Sequence, residues 1–251
     1  MALSEKEIET LWQGSYVENY VNEMASVLRE IDRMGQCRSI LEIGVNFGGT
    51  LRLWESVVPP GHLVVGVDKD PATIGKMTGK VTADRTSCAG GGLVNNWELA
   101  ETYGIIHRFV SDREVFVVIG DSAAPEVAAA VQHLLRGRKF DVLFHDGIHY
   151  GPGPVYDYYN FEDMLRDYGL LCVADVGNMG LGNIDNLGTQ TLWQALPPPK
   201  TMCIEPCRAG IATWIKQPGF RIDPKRVVAE AGLSYYGNGP TGSIQHHKVF
   251  P

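Results

Sequence analysis

Five short apolar runs alternate with stretches of helical spacing, and that alternation constrains this chain more than any other feature. The runs are Ser39 to Gly44, His62 to Val67, Val115 to Ile119, Phe140 to Phe144 and Gly169 to Val173. Helical spacing resumes at Thr50 to Glu55, Ala124 to Leu135 and Val155 to Tyr168. Near-continuous apolar strands with helices between them form a parallel sheet covered on both faces. The expected class is α/β, a doubly wound and mostly parallel sheet.

Around that core the pattern is looser. Ile8, Leu11, Trp12, Tyr16, Val17, Tyr20, Val21, Met24, Val27, Leu28 and Ile31 recur at helical spacing from Ser4 to about Met34, interrupted at Gly14-Ser15. The second and third strands are joined by an unusually long connection, and the glycine-rich residues 84–96 within it have the composition of a lid. Beyond Val176 a short helix (Thr189 to Leu196), three prolines and strand candidates at Gly210 to Lys216 and Ser243 to Val249 follow. With no repeat and no composition shift, residues 1–251 are expected to be a single domain: a helical segment (1–36), a ligand-binding core (37–176) and a substrate-side portion with antiparallel strands (177–251).

Twenty-two Lys plus Arg against 29 Asp plus Glu give a net charge of −7. With no basic patch to override it, that charge argues against nucleic acid or anionic lipid as partners. No apolar run approaches the roughly 18–20 residues of a membrane span, and the first residues lack the order of a secretory signal. The five cysteines, Cys37, Cys88, Cys172, Cys203 and Cys207, form no CxxC pair, which suits reduced thiols. A cytoplasmic location is the expectation.

Ligands of open parallel sheets bind beyond the carboxyl ends of the strands, and acids stand at five of these ends: Glu42, Asp68, Asp121, Asp146 and Asp175. The first loop, Glu42-Ile43-Gly44-Val45-Asn46-Phe47-Gly48-Gly49, departs from the dinucleotide fingerprint because Asn46 fills the second glycine position. Its glycines either let the backbone run close under a slender ligand or only turn a strand tightly into a helix. Asp68 is placed to accept ribose hydroxyls, and Asp121-Ser122 to meet an adenine amino group. An acidic crevice suits the sulfonium cation of S-adenosylmethionine better than a pyrophosphate.

Leu41 to Thr50, Val65-Gly66-Val67-Asp68, Phe140 to His149 and Gly169 to Asp175 together resemble class I S-adenosylmethionine-dependent methyltransferases. More narrowly, they resemble the cephalosporin-hydroxylase-like and macrocin-O-methyltransferase-like group, and Trp12 and Gly14 are similar to a Trp-x-Gly element of some relatives. The resemblance implies a Rossmann-like sheet of seven strands with N-terminal helices. It also implies transfer of methyl to a hydroxyl of a small molecule such as a natural-product sugar or phenol. Gly44 would approach the methionine part of the cofactor in a loop that also holds Asn46 and Gly48, with Glu42 ordering it. Asp68 would hold the ribose, and Asp121 and Ser122 would bracket the adenine. The Asp-Gly-x-His turn would supply a magnesium ligand, Asp146, and a general base, His149. An acidic pair normally completes the metal site after the fifth strand; this chain has Ala174-Asp175 there, so one acid is missing and Asp175 remains.

The base assignment also has its own chemical reason. An imidazole with an ordinary pKa near ~6.5 can take the proton of a hydroxyl at neutral pH, and a hard dication on Asp146 and Asp175 would ease its loss. Alternatively, His149 only caps a backbone group. His145, at the strand end, reads as structural. Tyr150, Tyr156, Tyr158 and Tyr159 read as packing residues or as an aromatic acceptor site, and adjacent His246 and His247 cannot share a strand face. Two rival functions stay open, an NAD-linked oxidoreductase and a non-catalytic S-adenosylmethionine-binding scaffold. Self-association as a homo-oligomer is open as well.

Overall fold

The structure is a computed structural model that describes residues 4, 6–7, 9–10, 21–80, 96–177, 186–203 and 210–233. In chain order the elements are α1 (Val21–Arg33), β1 (Ser39–Ile43), α2 (Gly49–Val57), β2 (Leu63–Asp68), α3 (Thr73–Met77), β3 (Leu99–Tyr103), β4 (Ile106–Phe109) and β5 (Glu114–Ile119). They continue with α4 (Pro125–Leu135), β6 (Phe140–His145), α5 (Gly153–Phe161), β7 (Leu165–Ala174), α6 (Leu187–Ala195), β8 (Lys200–Cys203), β9 (Ile211–Ile215) and α7 (Pro224–Glu230).

One sheet runs β3-β4-β5-β2-β1-β6-β7-β9-β8. The five central strands are parallel, and the flanking pairs are antiparallel. Strand side chains alternate between faces, so each central strand feeds two cores. Leu41, Leu63, Val65 and Val67 pack with α4, α5, α6 and α7. Ile40 and Val64 pack with α1, α2 and Trp97 on the other face. The helix at the amino end shows its period plainly, since Met24, Val27, Leu28 and Ile31 are its buried stripe. Caps fix the ends of other helices: Pro125 opens α4 and left-handed Arg136 closes it, while Asp223 accepts from Arg226 N ahead of Pro224 in α7.

The strand order reverses at β1, which lies between β2 and β6, and the loops after β1, β2, β5, β6 and β7 leave the sheet at the same end. Gly66 lets the first loop close onto the sheet, because a Cβ there would lie 2.4 Å from Val45 Cγ2.

The expected architecture is present, with three differences. The five parallel strands and β9 match six of the seven strands expected, β8 was not among them, and with β8 and the β3–β4 hairpin the sheet has nine strands. That hairpin occupies part of the connection read as a lid; β3 is exposed along its length, so no apolar pattern announced it. Helix α5 stops at Phe161, seven residues short of the expected end at Tyr168, because the chain pairs with β6 from Leu165 onward. Sheet pairing overrides helical spacing there, and Tyr168, at φ 60, instead donates its N–H to Lys216 O. Strand β8 and helix α7 went unread. The Trp12-Gly14 element, most of the 84–96 loop, Cys88, Cys207 and the expected strand over Ser243 to Val249 lie outside the described residues. Among the described residues no helix is long and apolar enough to cross a membrane.

Candidate active site

The first loop is built on left-handed backbone: Gly44 (φ 90), Asn46 (φ 49) and Gly48 (φ 72). Asparagine is among the few side chains that tolerate this region, so Asn46 keeps the turn without a second glycine. Each glycine has a steric reason. A Cβ on Gly44 would lie 2.1 Å from Asp146 O, and one on Gly48 would lie 2.8 Å from Trp97 Nε1. The loop after β1 is thereby pressed against the turn after β6.

Asp68 holds this loop from below. Its Oδ2 accepts from Val45 N (2.9 Å) and Asn46 N (2.7 Å), and its Oδ1 accepts from Asp70 N (2.8 Å). The loop donors are therefore organised by the residue expected to receive a ribose. Beside it, Lys76 Nζ donates to Asp70 Oδ2 (2.8 Å) and to Asn46 Oδ1 (3.1 Å), tying the loop to α3. Neither Asp70 nor Lys76 was singled out in the sequence; an Asp-x-Asp after a strand was the available signal.

Under the loop, Glu42 is buried, and its Oε2 has no protein partner. Burial first, and then the negative Asp146 and Asp68, raise its carboxyl well above the ordinary range, against smaller opposite pulls from Trp54 and Thr50.

Asp121 and Ser122 follow β5, and each has a polar atom bonded within the chain. Asp121 Oδ1 accepts from Ala123 N (2.9 Å), and Ser122 Oγ donates to Asp157 Oδ1 (2.6 Å). The other Asp157 oxygen lies 3.0 Å from Nε2 of buried His145. His145 is structural, as its strand position implies, and Asp157 joins β5, β6 and α5. Nothing in the spacing announces a helix aspartate twelve residues past a strand-end histidine.

The third part of the site lies after β6 and β7. His149 Nε2 stands 3.0 Å from Asp175 Oδ2, and one donor atom from each of Asp146, His149 and Asp175 lies within 4.8 Å of the others. Asp175 has φ 57, the turn that follows buried Ala174. The missing acid therefore leaves a three-donor set in place, with an imidazole beside two carboxylates. These donors, hard oxygens with one nitrogen, fit a divalent cation.

Of the four tyrosines, Tyr158 is in the core, where burial raises its hydroxyl pKa, while Tyr150 and Tyr159 are exposed. The packing reading holds for Tyr158, and Tyr156 is half-buried on the same helix. Burial pushes the Cys37 thiol up to about 12, and Cys172 is raised as well; both are inert core thiols.

Comparison with known proteins agrees with this frame. No curated protein matches the chain. Among the solved structures that share its fold are three O-methyltransferase structures of similar length. One is an O-methyltransferase from Bacillus cereus in complex with SAH (TM-score 0.50, 15% identity, 84% of this chain and 90% of that one). The second is TomG, an O-methyltransferase from Streptomyces achromogenes involved in tomaymycin synthesis, in complex with SAM (0.50, 14%, 84% and 89%). The third is a Staphylococcus aureus protein provisionally assigned as a caffeoyl-CoA O-methyltransferase (0.52, 16%, 83% and 91%). A family model described as a methyltransferase domain matches residues 41–176, the stretch from β1 to the end of β7 that carries every candidate residue named above. More than half of the chain lies within that match, and the chain belongs to this methyltransferase family.

Proposed function

We propose that the protein transfers a methyl group from S-adenosylmethionine to a hydroxyl oxygen of a small molecule, in the manner of the macrocin-O-methyltransferase-like group. The observation that carries this reading is the contact of Gly44 with Asp146: it sets the Asp146, His149 and Asp175 cluster directly against the glycine loop. A methyl donor on the loop and a hydroxyl at the cluster would be neighbours. The relatives bound to SAM and SAH support the same donor.

The orphaned Glu42 oxygen and the open, left-handed loop fit such a ligand, and Asp68 both shapes the loop and offers charge toward the ribose. When bound, S-adenosylmethionine supplies an electrophilic methyl on a positively charged sulfur. His149 does the proton work. Asp175 Oδ2, 3.0 Å from its Nε2, orients the ring for that work. As the acceptor hydroxyl takes up the methyl group, its proton would pass to His149. Asp175 stabilises the resulting imidazolium. Asp146 and Asp175 would hold a dication such as Mg2+, whose chemistry there is to lower the acceptor's pKa and clamp its oxygens.

Titration calorimetry with S-adenosylmethionine, its demethylated product and NAD tests the donor. Binding of the first two supports the reading; binding of NAD alone ends it. A panel of sugar and phenolic hydroxyls, followed by mass spectrometry, tests the acceptor.

A further inference from the structure

The two halves of the His149–Asp175 pair follow different strands, β6 and β7, and the first turn of α6 touches the main chain of both. Thr189, fully buried, donates its backbone N–H to His149 O (3.1 Å). Its hydroxyl lies within donating distance of Asp175 O (2.6 Å) and of Asn186 O (2.9 Å). Gly188 makes the approach feasible, because a Cβ there would lie 2.4 Å from Gly151 O and 2.7 Å from His149 O. On the Asp175 side, buried Asn186 donates Nδ2 to Gly177 O (3.2 Å), and Gln190 Nε2 reaches the same oxygen (3.4 Å).

A buried hydroxyl in contact with the carbonyl of a left-handed residue has a specific consequence. Asp175 at φ 57 carries its side chain wherever its peptide is turned, and the Thr189 hydroxyl bonds to that peptide. The same residue, through its N–H, bonds to the peptide of His149. Sliding either strand end away from α6 would break one of these bonds in a buried place, where a polar group left without a partner is costly.

We propose that Thr189 is the positioning residue that sets the separation of His149 and Asp175, and thereby the geometry of the cation and proton site. The part concerning the cation rests on the function proposed above; the part concerning the separation does not. Thr189 touches neither substrate nor reacting atoms in this assignment. Partners of this kind, bonded to ligating residues, typically change metal affinity by roughly 10–100-fold when removed.

The test compares Thr189→Val, which keeps the shape and removes the hydroxyl, with Thr189→Ser, which keeps the hydroxyl. Two readouts need no acceptor. In a crystal structure of Thr189→Val, the His149 Nε2 to Asp175 Oδ2 distance should lengthen beyond hydrogen-bond range, with the wild-type distance returning in Thr189→Ser. In a titration with Mn2+ alone, followed by electron paramagnetic resonance, Thr189→Val should bind at least about tenfold more weakly than wild type. Thr189→Ser should bind nearly as well, and affinity for the demethylated cofactor should be unchanged in both. An unaltered distance in folded Thr189→Val overturns the proposal, as does failure of Thr189→Ser to restore it. Wild-type protein that binds no Mn2+ would remove the cation reading, and the distance alone would then decide the proposal. If Thr189→Val does not fold, Thr189→Ala takes its place with the same expectations.

Discussion

Gly44 and Asp146 are in direct backbone contact, so that no side chain fits on the first between the loop after β1 and the turn after β6. A methyl group there would meet the Asp146 carbonyl and a left-handed φ at once. Gly44→Ala should therefore lose roughly 2–5 kcal/mol of stability, the combined cost of overpacking and of a strained φ. Urea denaturation measures this, and a variant as stable as the parent would show that the contact relaxes freely.

Asp68→Asn should weaken S-adenosylmethionine binding by about 1–3 kcal/mol, because an amide keeps one acceptor oxygen where the carboxylate serves three backbone donors. Calorimetry reads the loss. Unchanged affinity in the folded variant would leave Asp68 without a part in binding.

For the base, His149→Gln should lower methyl transfer by roughly 10²–10⁴-fold and leave cofactor affinity within a few-fold. Single-turnover kinetics with an identified acceptor separates the two effects. Wild-type transfer by the variant would take His149 out of the mechanism.

Exhaustive chelation should slow transfer, and Mg2+ or Mn2+ should restore it, since Asp146 and Asp175 present two carboxylates together beside the base. Undiminished rates in chelator would leave the two acids as hydrogen-bonding groups for the histidine and the acceptor.

Glu42 makes stability depend on pH in a defined sense. Its carboxyl holds its proton more tightly in the folded chain than in the unfolded one. Its contribution is present in full below the ordinary carboxylate range and declines as pH rises from there toward the raised folded value. Glu42→Gln, which cannot ionise, should melt near the wild-type temperature at pH 4 and a few degrees above it at pH 8. A constant difference across that range would show that Glu42 is not the titrating group.

The parallel core and the positions of the site residues were legible because both rest on local pattern. Apolar runs such as Phe140 to Phe144 end in polar turns, and those turns lie side by side once the strands are parallel. What the residues do to one another was less visible. The bond of Ser122 to Asp157, 35 residues away, could not be read beside its expected place at an adenine. The gap left by Ala174 suggested an incomplete metal site, and only the folded turn shows His149 beside Asp175. The clasp at Thr189 joins residues from three elements and leaves no spacing to read. Hairpin β3–β4 escaped for the opposite reason, since Leu99 to Tyr103 is too exposed to carry a burial pattern.

Ile40 and Leu41 are neighbours on β1, yet they belong to opposite apolar clusters. The strand is thus a party wall, and loosening it exposes both sides to water together. Removing either side chain, at about 2–5 kcal/mol for a truncation to alanine, should lower amide exchange protection on both faces by similar factors. The loop that carries Gly44 springs from this same strand, so the crevice holds its shape for as long as the wall stands.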